Sequence, residues 1–593
     1  MNLTVCSFND ILINNKKKNF IYIGTNYFQI TQLKSKYNPI DLEIKLSQIS
    51  SKERKPFLKW LEINRKFNND SLQWWMTSLG SKNNAHSRLY DLLCQFKRVQ
   101  IYLDNNQKKN IDIIIFCEDI FIKNFLIKNI NQKLLDKKKI IINSFFIDFF
   151  ILFIKSIYSF FKKFFLTFKF FFYSKITRQL RKKSLPEGEI ILFHNCLSNN
   201  FKIYGGMVTC NYFGKLPFFL KKKKPKVYSL PWTPFLFYNF NFYRKISNIK
   251  NIFLPDDYLN FTDYLRLILD SYTGIFKLKF IYSYRKINLI DLIKREKIKE
   301  TFELHFIFLR YISAFQKWSK NLTKITIFDH YENLQFEHPL RSLTHKKKNF
   351  QSVGYYHSLT SKEFLSYQHE KLEWTSHIKP NKIVAHSEFA KKNLSKQGVP
   401  IERIVSGPNL RSNKNNHFKK KISNTILASL SLNHNSNLEI LSTLIQLNSF
   451  LQKNNVSVLI RPHPMISTKD TINLIDNLWV LPDNWHFSKS ITIKEDLQKC
   501  FCLLTLTSAS VFDAIKFKIP VFNINSELIA CSNYLDILPK NSIFSKSYNF
   551  SELVKVLHNL YLNKTCYDKD VKTAYNFIFH KEKEKNFNIF TKL

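Results

Sequence analysis

The sequence lacks a C-x-x-C cysteine pair, a secretory signal and any apolar run long enough to cross a bilayer. Its nine Cys include no C-x-x-C pair and no even set of close spacings, which excludes a disulfide-stapled module and suits a reducing cytosol. The N-terminus has neither the basic-then-apolar order nor the small-residue cleavage site of a signal peptide. A mean hydropathy of -0.23 is too polar for a polytopic membrane protein. We therefore expect a cytoplasmic protein.

Acidic residues are also scarce. The chain has 45 Asp+Glu against 91 Lys+Arg, a formal net charge of +46 over 593 residues. This charge favours anionic partners such as nucleic acid, acidic lipid headgroups or sugar nucleotides. A nucleic-acid-binding protein is disfavoured, because the Lys residues are dispersed and the sequence has neither an RNP-like aromatic strand nor zinc-finger spacing. With 45% hydrophobic and 16% aromatic residues, the chain is globular and multidomain.

Residues 136–185 have an unusual composition, rich in Phe and in basic side chains. The apolar run around 145–154 includes Asp148 and is broken at Lys155, well short of the roughly 20 residues that span a bilayer. Further Lys residues interrupt the aromatic run, and the segment ends in a basic cluster. This pattern favours an amphipathic helix that lies in an anionic membrane interface. A helix packed on its own protein is the alternative.

The rest of the chain alternates short apolar runs with polar helical stretches, the pattern of parallel sheets covered by helices. A Lys- and Asn-rich stretch at 411–424 separates two such series and is interpreted as a linker. The predicted organisation begins with an N-terminal α/β domain of unknown role at 1–135, followed by the basic Phe-rich segment at 136–185. An acceptor-side Rossmann-like domain at 186–415 and a donor-side Rossmann-like domain at 416–569 come next, and a C-terminal helix at 570–593 ends the chain.

The sharpest motif is Arg461-Pro462-His463-Pro464, here called the RPHP turn, which directly follows an apolar strand at 456–460. Ligands of open α/β sheets bind at the carboxyl ends of the strands, where this turn places its side chains. The Arg fork and an imidazolium suit a phosphate, and prolines on both sides of the His restrict its direction. A purely structural strand-end turn is the alternative.

A second motif, residues 505–510, is rich in hydroxyls and is here called the Ser/Thr turn. It lies between an apolar strand and a helix that starts near Val511. Thr507, Ser508 and Ser510 can cap this helix, and together with backbone N–H groups they can bind an anion. Capping alone is the alternative. Both turns fall on the same rim of one predicted sheet, which suggests a bound donor that contains phosphate.

Three carboxylates and an imidazole follow two neighbouring strands of the other predicted domain. Asp329, Glu332 and Glu337 follow the strand ITIF, and His357 follows SVGYY. A base for an acceptor hydroxyl has to come within about 3 Å of it, and Glu332 is the first candidate. Each acid alone also fits a solvated loop charge or a helix cap. His338, which precedes a proline, is interpreted as part of a structural helix start.

These motifs together resemble a known class of enzyme. The RPHP turn, the Ser/Thr turn, the helix after it and IPVF are similar to the donor domain of GT-B glycosyltransferases that use CMP-linked acidic sugars, the sialyl- and Kdo-type transferases. The stretch 325–411, with DHYENLQFEHPLRSL and KIVAHSEFAKKNLSKQGVP, resembles bacterial surface-carbohydrate (capsule and O-antigen) biosynthesis proteins. The resemblance is specific over roughly 320–525 and covers little of the chain elsewhere.

The resemblance implies a GT-B-like pair of Rossmann-type domains that face a cleft, with the nucleotide held by the donor domain. His463 would assist departure of the nucleotide. The implied donor contacts are Arg461, Pro464, Thr507, Ser508 and Ser510. Neither a cofactor beyond the nucleotide sugar nor an obligate metal is expected, because protein groups can neutralise a single phosphate and no D-x-D motif stands at a strand end.

On the acceptor side, the resemblance implies Glu332, Glu337 and His357 as candidate catalytic residues. The transfer would invert the anomeric carbon and join an acidic nonulosonate or Kdo-type sugar to a glycan or lipid-linked oligosaccharide. Ser358 stands where related proteins have Gly, which leaves the part played by His357 open. The expected location is peripheral, on the cytoplasmic face of the membrane.

Other functions are compatible with the same sequence. A CDP-glycerol-type polyol-phosphate transferase would use His357 and His463 as its pair, and both donor types present a cytidine phosphate. A basic nucleic-acid-binding protein and a non-catalytic membrane-surface protein are the remaining alternatives.

Overall fold

A computed structural model gives the fold. It describes residues 2–8, 18–109, 111–131, 145–178, 185–197, 201–204, 206–210, 212–223, 226–232, 239–249, 251–303, 305–345, 347–410, 423–530, 533–579 and 587–593.

The first unit, here the N-terminal domain, is a four-stranded parallel sheet with five helices. The strand order is β1-β4-β2-β3. Consecutive Ile residues make β4 apolar on both sides, as a strand covered by helices requires. Its elements are β1 (Asn2–Ser7), β2 (Asn19–Ile23), α1 (Tyr27–Lys34), β3 (Asn38–Pro39), α2 (Leu46–Phe67), α3 (Leu72–Met76), α4 (Leu89–Asn106), β4 (Asp112–Cys117) and α5 (Ile120–Asn129).

The Phe-rich segment forms one long helix, α6 (Phe145–Arg178), of 34 residues. Within the described residues, no helix is both long enough and apolar enough to span a bilayer.

The second unit, here the middle domain, contains a six-stranded parallel sheet in the order β14-β13-β12-β11-β5-β8. Pro339 lies in the first turn of α12, where its missing N–H is not needed, so the predicted helix start at His338 is observed. Its elements are β5 (Gly188–Cys196), β6 (Lys202–Tyr204), β7 (Met207–Thr209), α7 (Leu216–Lys223), β8 (Val227–Trp232), α8 (Phe240–Ile246), α9 (Phe261–Lys277), β9 (Ser283–Tyr284), β10 (Ile287–Asn288), α10 (Ile290–Phe302), α11 (His305–Trp318), β11 (Leu322–His330), α12 (His338–Thr344), β12 (Phe350–Tyr356), β13 (Lys382–Ala385), α13 (Glu388–Lys396) and β14 (Ile404–Ser406).

The third unit, here the C-terminal domain, contains a second six-stranded parallel sheet, in the order β17-β16-β15-β18-β19-β20. The Asn433 side chain caps the N-terminus of α14 by accepting from the backbone N–H of Asn435 and Ser436. Its elements are β15 (Thr425–Ser429), α14 (His434–Lys453), β16 (Ser457–Arg461), α15 (Thr468–Asp476), β17 (Trp485–Phe487), α16 (Ile493–Leu497), β18 (Cys502–Thr505), α17 (Ser510–Lys516), β19 (Val521–Ile524), β20 (Ser547–Tyr548), α18 (Phe550–Leu562) and α19 (Asp568–Phe579).

The predicted α/β class is confirmed, with two Rossmann-type parallel sheets and an additional N-terminal α/β region. The predicted boundary at 415/416 falls among residues outside the described part of the chain and stays a prediction. The end of the chain differs from the single helix predicted at 570–593. After α19, a short 3-10 turn, Phe587–Thr591, buries Phe590 in the core of the middle domain.

The N-terminal domain contacts both of the larger domains. Lys82 is buried and its Nζ lies 2.7 Å from Glu373 Oε1 of the middle domain. Gln95 on α4 donates to the backbone carbonyl of Leu528 in the C-terminal domain, at 2.9 Å. Both partner residues lie in segments that follow strands of their sheets, β12 and β19. The N-terminal domain therefore joins the two larger domains on their strand-end sides.

Candidate active site

Glu332 lies in the loop that follows β11, and a strained turn gives this loop its shape. Asn333 has a φ of 57°, a left-handed conformation that is uncommon outside glycine. Its side chain compensates with two hydrogen bonds, donating to the carbonyl of Ser366 at 2.9 Å and accepting from Lys379 Nζ at 3.0 Å. The turn therefore holds the Glu332 backbone in a defined position.

Glu337 holds the other side of the same loop. Its carboxylate accepts from the backbone N–H of Glu332 at 2.9 Å and of Asn333 at 3.0 Å. Arg341, one helical turn later, lies 2.5 Å from Glu337 and also binds Asp329 with two hydrogen bonds, at 2.7 and 2.8 Å. Asp329, Glu337 and Arg341 are fully buried. These three buried residues support the loop that carries Glu332.

This arrangement corrects the predicted role of Glu337. Burial, and then the like charges of Asp329 and Glu332, raise the pKa of Glu337 to about 8, although the charge of Arg341 acts to lower it. One guanidinium faces two buried carboxyl groups, so the negative charge of both is only partly compensated. Glu337 has no exposed surface for an acceptor, whereas 28% of the Glu332 side chain is exposed. Glu337 is therefore a positioning residue, and Glu332 is the accessible carboxylate.

His357 lies next to Glu332, as the positions of the two strands predict. Its Nε2 is 3.5 Å from Glu332 Oε1. The Tyr212 ring packs against both His357 and His330, with ring centroids 4.4 and 4.5 Å apart. Cys210 Sγ lies 3.7 Å from His330 Nε2. The carboxyl ends of β11 and β12 therefore present one acid and one imidazole side by side, on an aromatic support.

The hydroxyl side chains at the rim of the C-terminal domain form a compact cluster. Ser508 Oγ lies 2.9 Å from Ser510 Oγ and 3.2 Å from Ser429 Oγ, and Ser510 donates to Ser429 at 2.9 Å. Ser508 Oγ also accepts from the backbone N–H of Ser510, the first residue of α17, at 3.3 Å, whereas the N-cap residue Ala509 makes no side-chain capping bond. Thr507 Oγ1 is buried without a hydrogen-bond partner. These hydroxyls can turn their protons towards an anion at the same rim.

His463 occupies the same rim, after β16, which pairs with β15 beside Ser429. The backbone N–H of Met465 donates to His463 Nδ1 at 3.2 Å. Burial lowers the His463 pKa to about 4, so the ring is neutral at pH 7. A neutral ring that accepts at Nδ1 carries its proton on Nε2. This finding replaces the predicted imidazolium with a neutral N–H donor.

Arg461 does not face the same space. Its guanidinium forms an ion pair with the buried Asp496, and it donates to the Ser488 hydroxyl at 3.3 Å and the Ser490 carbonyl at 3.2 Å. These partners occupy the Arg fork, so its role here is to hold the segment after β17 against the sheet. The predicted phosphate contact by Arg461 is therefore replaced by a structural one, while Pro464 is exposed beside His463.

The strand-end loops of the two larger domains meet. Glu363 Oε2, after β12, accepts from the backbone N–H of Asn533, after β19, at 3.4 Å. The Tyr534 ring packs on Phe364 of the middle domain at 4.6 Å and on Phe512 of α17 at 6.1 Å. Burial, and then the charge of Glu332, raises the Tyr534 pKa. Tyr534 therefore joins the loop after β12 in the middle domain to the helix that follows the Ser/Thr turn.

Several members of this site were not predicted from the sequence. Ser429 ends β15, the first strand of the C-terminal sheet, and a hydroxyl at a strand end could have been recognised from the sequence. Tyr212, His330 and Tyr534 lack such a signal, because their contacts join segments far apart in the chain. Among the described residues, no group of three or more His, Cys, Asp or Glu side chains is arranged to hold a metal ion.

No protein-family model matches this chain, and no curated protein matches it. Similar solved structures include UDP-GlcNAc 2-epimerase from Neisseria meningitidis bound to UDP-GlcNAc, 11% identical with a TM-score of 0.37 over 68% of this chain and 98% of that one.

A second similar structure is the calicheamicin glycosyltransferase, 12% identical with a TM-score of 0.37 over 66% of this chain and 94% of that one. A third is Methanocaldococcus jannaschii UDP-GlcNAc 2-epimerase in complex with UDP-GlcNAc and UDP, 12% identical with a TM-score of 0.34 over 67% of this chain and 100% of that one.

Proposed function

We propose that this chain is a glycosyltransferase that moves a sugar from a nucleotide donor to a hydroxyl acceptor between the two strand-end rims. One observation carries the proposal. An acid–imidazole pair on the middle domain and a neutral imidazole with three clustered hydroxyls on the C-terminal domain lie on rims whose loops touch. The first pair suits a base for the acceptor, and the second group suits a phosphate.

The donor half of the reaction uses hydrogen-bond donors. His463 Nε2–H and the hydroxyls of Ser429, Ser508 and Ser510 would surround the phosphate of the donor. As the bond between the anomeric carbon and the phosphate oxygen breaks, negative charge grows on the phosphate, and donors already in place stabilise it. His463 keeps its Nε2 proton throughout and donates a hydrogen bond to the phosphate oxygen, a bond that strengthens as negative charge grows on that oxygen.

The acceptor half needs a proton acceptor. Glu332 would take the proton from the acceptor hydroxyl, whose oxygen then forms the new bond to the anomeric carbon. His357, 3.5 Å away, would orient the carboxylate. The nucleotide leaves with the electron pair of the broken bond, so the proton ends on Glu332 and the charge on the phosphate. A single displacement of this kind inverts the anomeric carbon.

The finer assignment rests on the sequence resemblance. We propose a CMP-linked acidic sugar of the nonulosonate or Kdo type as the donor, and a glycan of a bacterial surface polysaccharide as the acceptor. Because a CMP-sugar carries one phosphate, the uncharged donors of this rim suffice and no metal is required. The enzyme would act at the cytoplasmic face of the membrane, where lipid-linked glycans are extended.

Nucleotide binding tests the donor assignment. We expect CMP to raise the melting temperature of the full chain more than UMP, UDP or GDP does, because a ligand present at 100 times its Kd adds about 2.7 kcal/mol to the stability of the folded state. Thermal unfolding of the chain with each nucleotide measures this. Equal shifts by all four nucleotides, or none, would contradict a cytidine donor.

His463→Ala tests the site itself. Removing the Nε2–H donor and its ring is expected to weaken CMP binding by about ten-fold to a hundred-fold, the range of a hydrogen bond to a charged group. Isothermal titration calorimetry gives the Kd. His486→Ala is the matched control, because His486 lies on the neighbouring strand β17 with an exposed side chain. If the two variants bind CMP equally well, the phosphate lies elsewhere.

A further inference from the structure

The side of the long helix α6 that packs against the protein carries several polar residues. The side chains of Lys163, Thr167 and Ser174 are almost completely buried, with exposures of 1%, 0% and 0%. Lys163 Nζ donates to the Tyr272 hydroxyl at 3.2 Å and to the Thr301 carbonyl. In a water-soluble helix, polar residues normally face the solvent. The side of α6 that faces the protein is therefore more polar than that pattern predicts.

Further contacts fix this rotation of the helix. Ser174 Oγ donates to Asp257 Oδ1 at 3.0 Å. The buried Phe170 ring packs on the Arg310 guanidinium, 4.5 Å from its centroid. Turning α6 about its axis to bury its aromatic side would break these buried polar contacts, which is costly because each would leave an unpaired group.

The outward side of α6 is a continuous apolar stripe. Most of its members recur at intervals of three or four residues, which places them on one side of the helix. All are large apolar side chains with exposures from 42% to 66%. They are Phe150, Ile154, Ile157, Tyr158, Phe160, Phe161, Phe165, Phe168, Phe172 and Ile176. Soluble monomers rarely expose so many large apolar side chains together, so this stripe marks an interaction surface.

Helix α9 extends the stripe sideways. Leu265, Leu269 and Phe276 are exposed by 37%, 61% and 72%, and their spacing places them on one side of α9. Phe261 belongs to the same side and packs on α6, with its ring 6.0 Å from that of Phe164. The outer sides of α6 and α9 therefore form one surface, here called the aromatic face.

Basic residues border the aromatic face. Lys155, Lys162 and Lys169 are exposed and recur every seven residues, so they form a row along one edge of the stripe. Residues 149–178 contain no Asp or Glu. Residues 149–178 of a second copy of this chain would therefore bring no carboxylates to these lysines, and its net charge of +46 would repel the first copy. Anionic lipid phosphates would complement the row.

We propose that the aromatic face is a monotopic membrane-binding surface, with α6 lying in the plane of an anionic bilayer. The Phe side chains of α6 enter the boundary between headgroups and acyl chains, joined by the exposed side chains of α9, and the lysine row contacts lipid phosphates. At 34 residues, α6 is about 50 Å long, so it anchors the chain along an extended line. This proposal does not depend on the reaction proposed above.

Vesicle flotation of the full chain tests the aromatic face. We expect Phe161→Ser/Phe165→Ser/Phe168→Ser to weaken binding to phosphatidylcholine–phosphatidylglycerol vesicles at least ten-fold, because three large apolar side chains no longer leave water. Val480→Ser/Ile491→Ser is the matched control, since both residues are 91% exposed but lie on the C-terminal domain. Circular dichroism checks that each variant is folded. Wild-type binding by the Phe variant would overturn the proposal.

The lysine row provides a second, independent variant. Lys155→Gln/Lys162→Gln/Lys169→Gln is expected to weaken binding to the anionic vesicles by about a hundred-fold at low salt, and to leave the weaker binding to pure phosphatidylcholine unchanged. Sedimentation velocity decides between a bilayer and a second copy. A dimer that the Phe variant dissociates, together with no vesicle binding by the wild type, would show that another copy covers the face.

Discussion

Replacing Glu332 with Gln is expected to lower the rate of sugar transfer by about 10²–10⁴-fold, the usual contribution of a general base. Gln keeps the size of the side chain and can still donate and accept hydrogen bonds, but it cannot take the proton of the acceptor hydroxyl. The neighbouring His357 remains, and its ring lies 3.5 Å from the position of the lost carboxylate. Transfer from a CMP-sugar to a glycan acceptor, followed by chromatography of the product, measures the rate.

The same variant should still bind the nucleotide. Glu332 belongs to the middle domain, whereas His463 and the hydroxyl cluster belong to the C-terminal domain, so the Kd for CMP is expected to stay within two-fold or so of wild type. Glu402→Gln is the matched control, because it removes an exposed carboxylate of the same domain. Loss of both rate and nucleotide binding would indicate a folding defect.

If the Glu332→Gln variant keeps its activity, a group other than Glu332 accepts the proton of the acceptor hydroxyl. His357→Ala would then be the informative variant, since the ring is the other proton acceptor beside the loop. If each variant alone keeps the full rate, the acceptor does not bind at the ends of β11 and β12, and the proposed reaction centre is misplaced. These results concern the acceptor side only. A wrong donor assignment would be detected separately by the nucleotide titration, which does not require sugar transfer.

The sequence predicted the parallel sheets well, because buried strands covered by helices are short apolar runs. The predicted strands ITIF and SVGYY, at 325–328 and 352–356, lie inside β11 and β12, which extend beyond them by up to three residues. The predicted adjacency of these two strands is also observed, so the residues at their ends share a rim. This is why His357 lies beside Glu332 as predicted.

The partners of charged residues were harder to predict. Arg461 and Glu337 both stand at strand ends, where ligands bind, yet Asp496 and Arg341 occupy them. A strand-end position indicates that a side chain is near the rim and does not tell whether the protein itself supplies its counter-ion. The pairing depends on segments that the sequence separates, such as the 35-residue step from Arg461 to Asp496.

The Phe-rich segment shows the same limit. Its composition predicted an amphipathic helix, but it left open which side faces the protein. The choice depended on polar partners from distant segments, Tyr272 and Asp257, which accept from Lys163 and Ser174. These contacts leave the aromatic side outward, a result that hydrophobic periodicity alone would have reversed.

Arg341→Met is expected to reduce the free energy of unfolding by about 3–5 kcal/mol, the cost of leaving buried charge without its partner. Met fills much of the space of the Arg stem but provides no positive charge for Asp329 and Glu337, both fully buried. The pKa of Glu337 is already raised to about 8 in the presence of Arg341. Without the guanidinium, the two carboxyl groups have to take up protons or repel each other. Urea unfolding monitored by circular dichroism measures the loss.

A second substitution separates charge from packing. Arg341→Met/Glu337→Gln is expected to recover part of the lost stability, because one of the two uncompensated carboxylates is gone. Arg266→Met is the control, since Arg266 is 84% exposed and lies 3.9 Å from Asp270, an ion pair that contributes little. Equal losses for Arg341→Met and Arg266→Met would show that the buried triad does not hold the loop. The position of Glu332 would then have to depend on Asn333 and Lys379 alone.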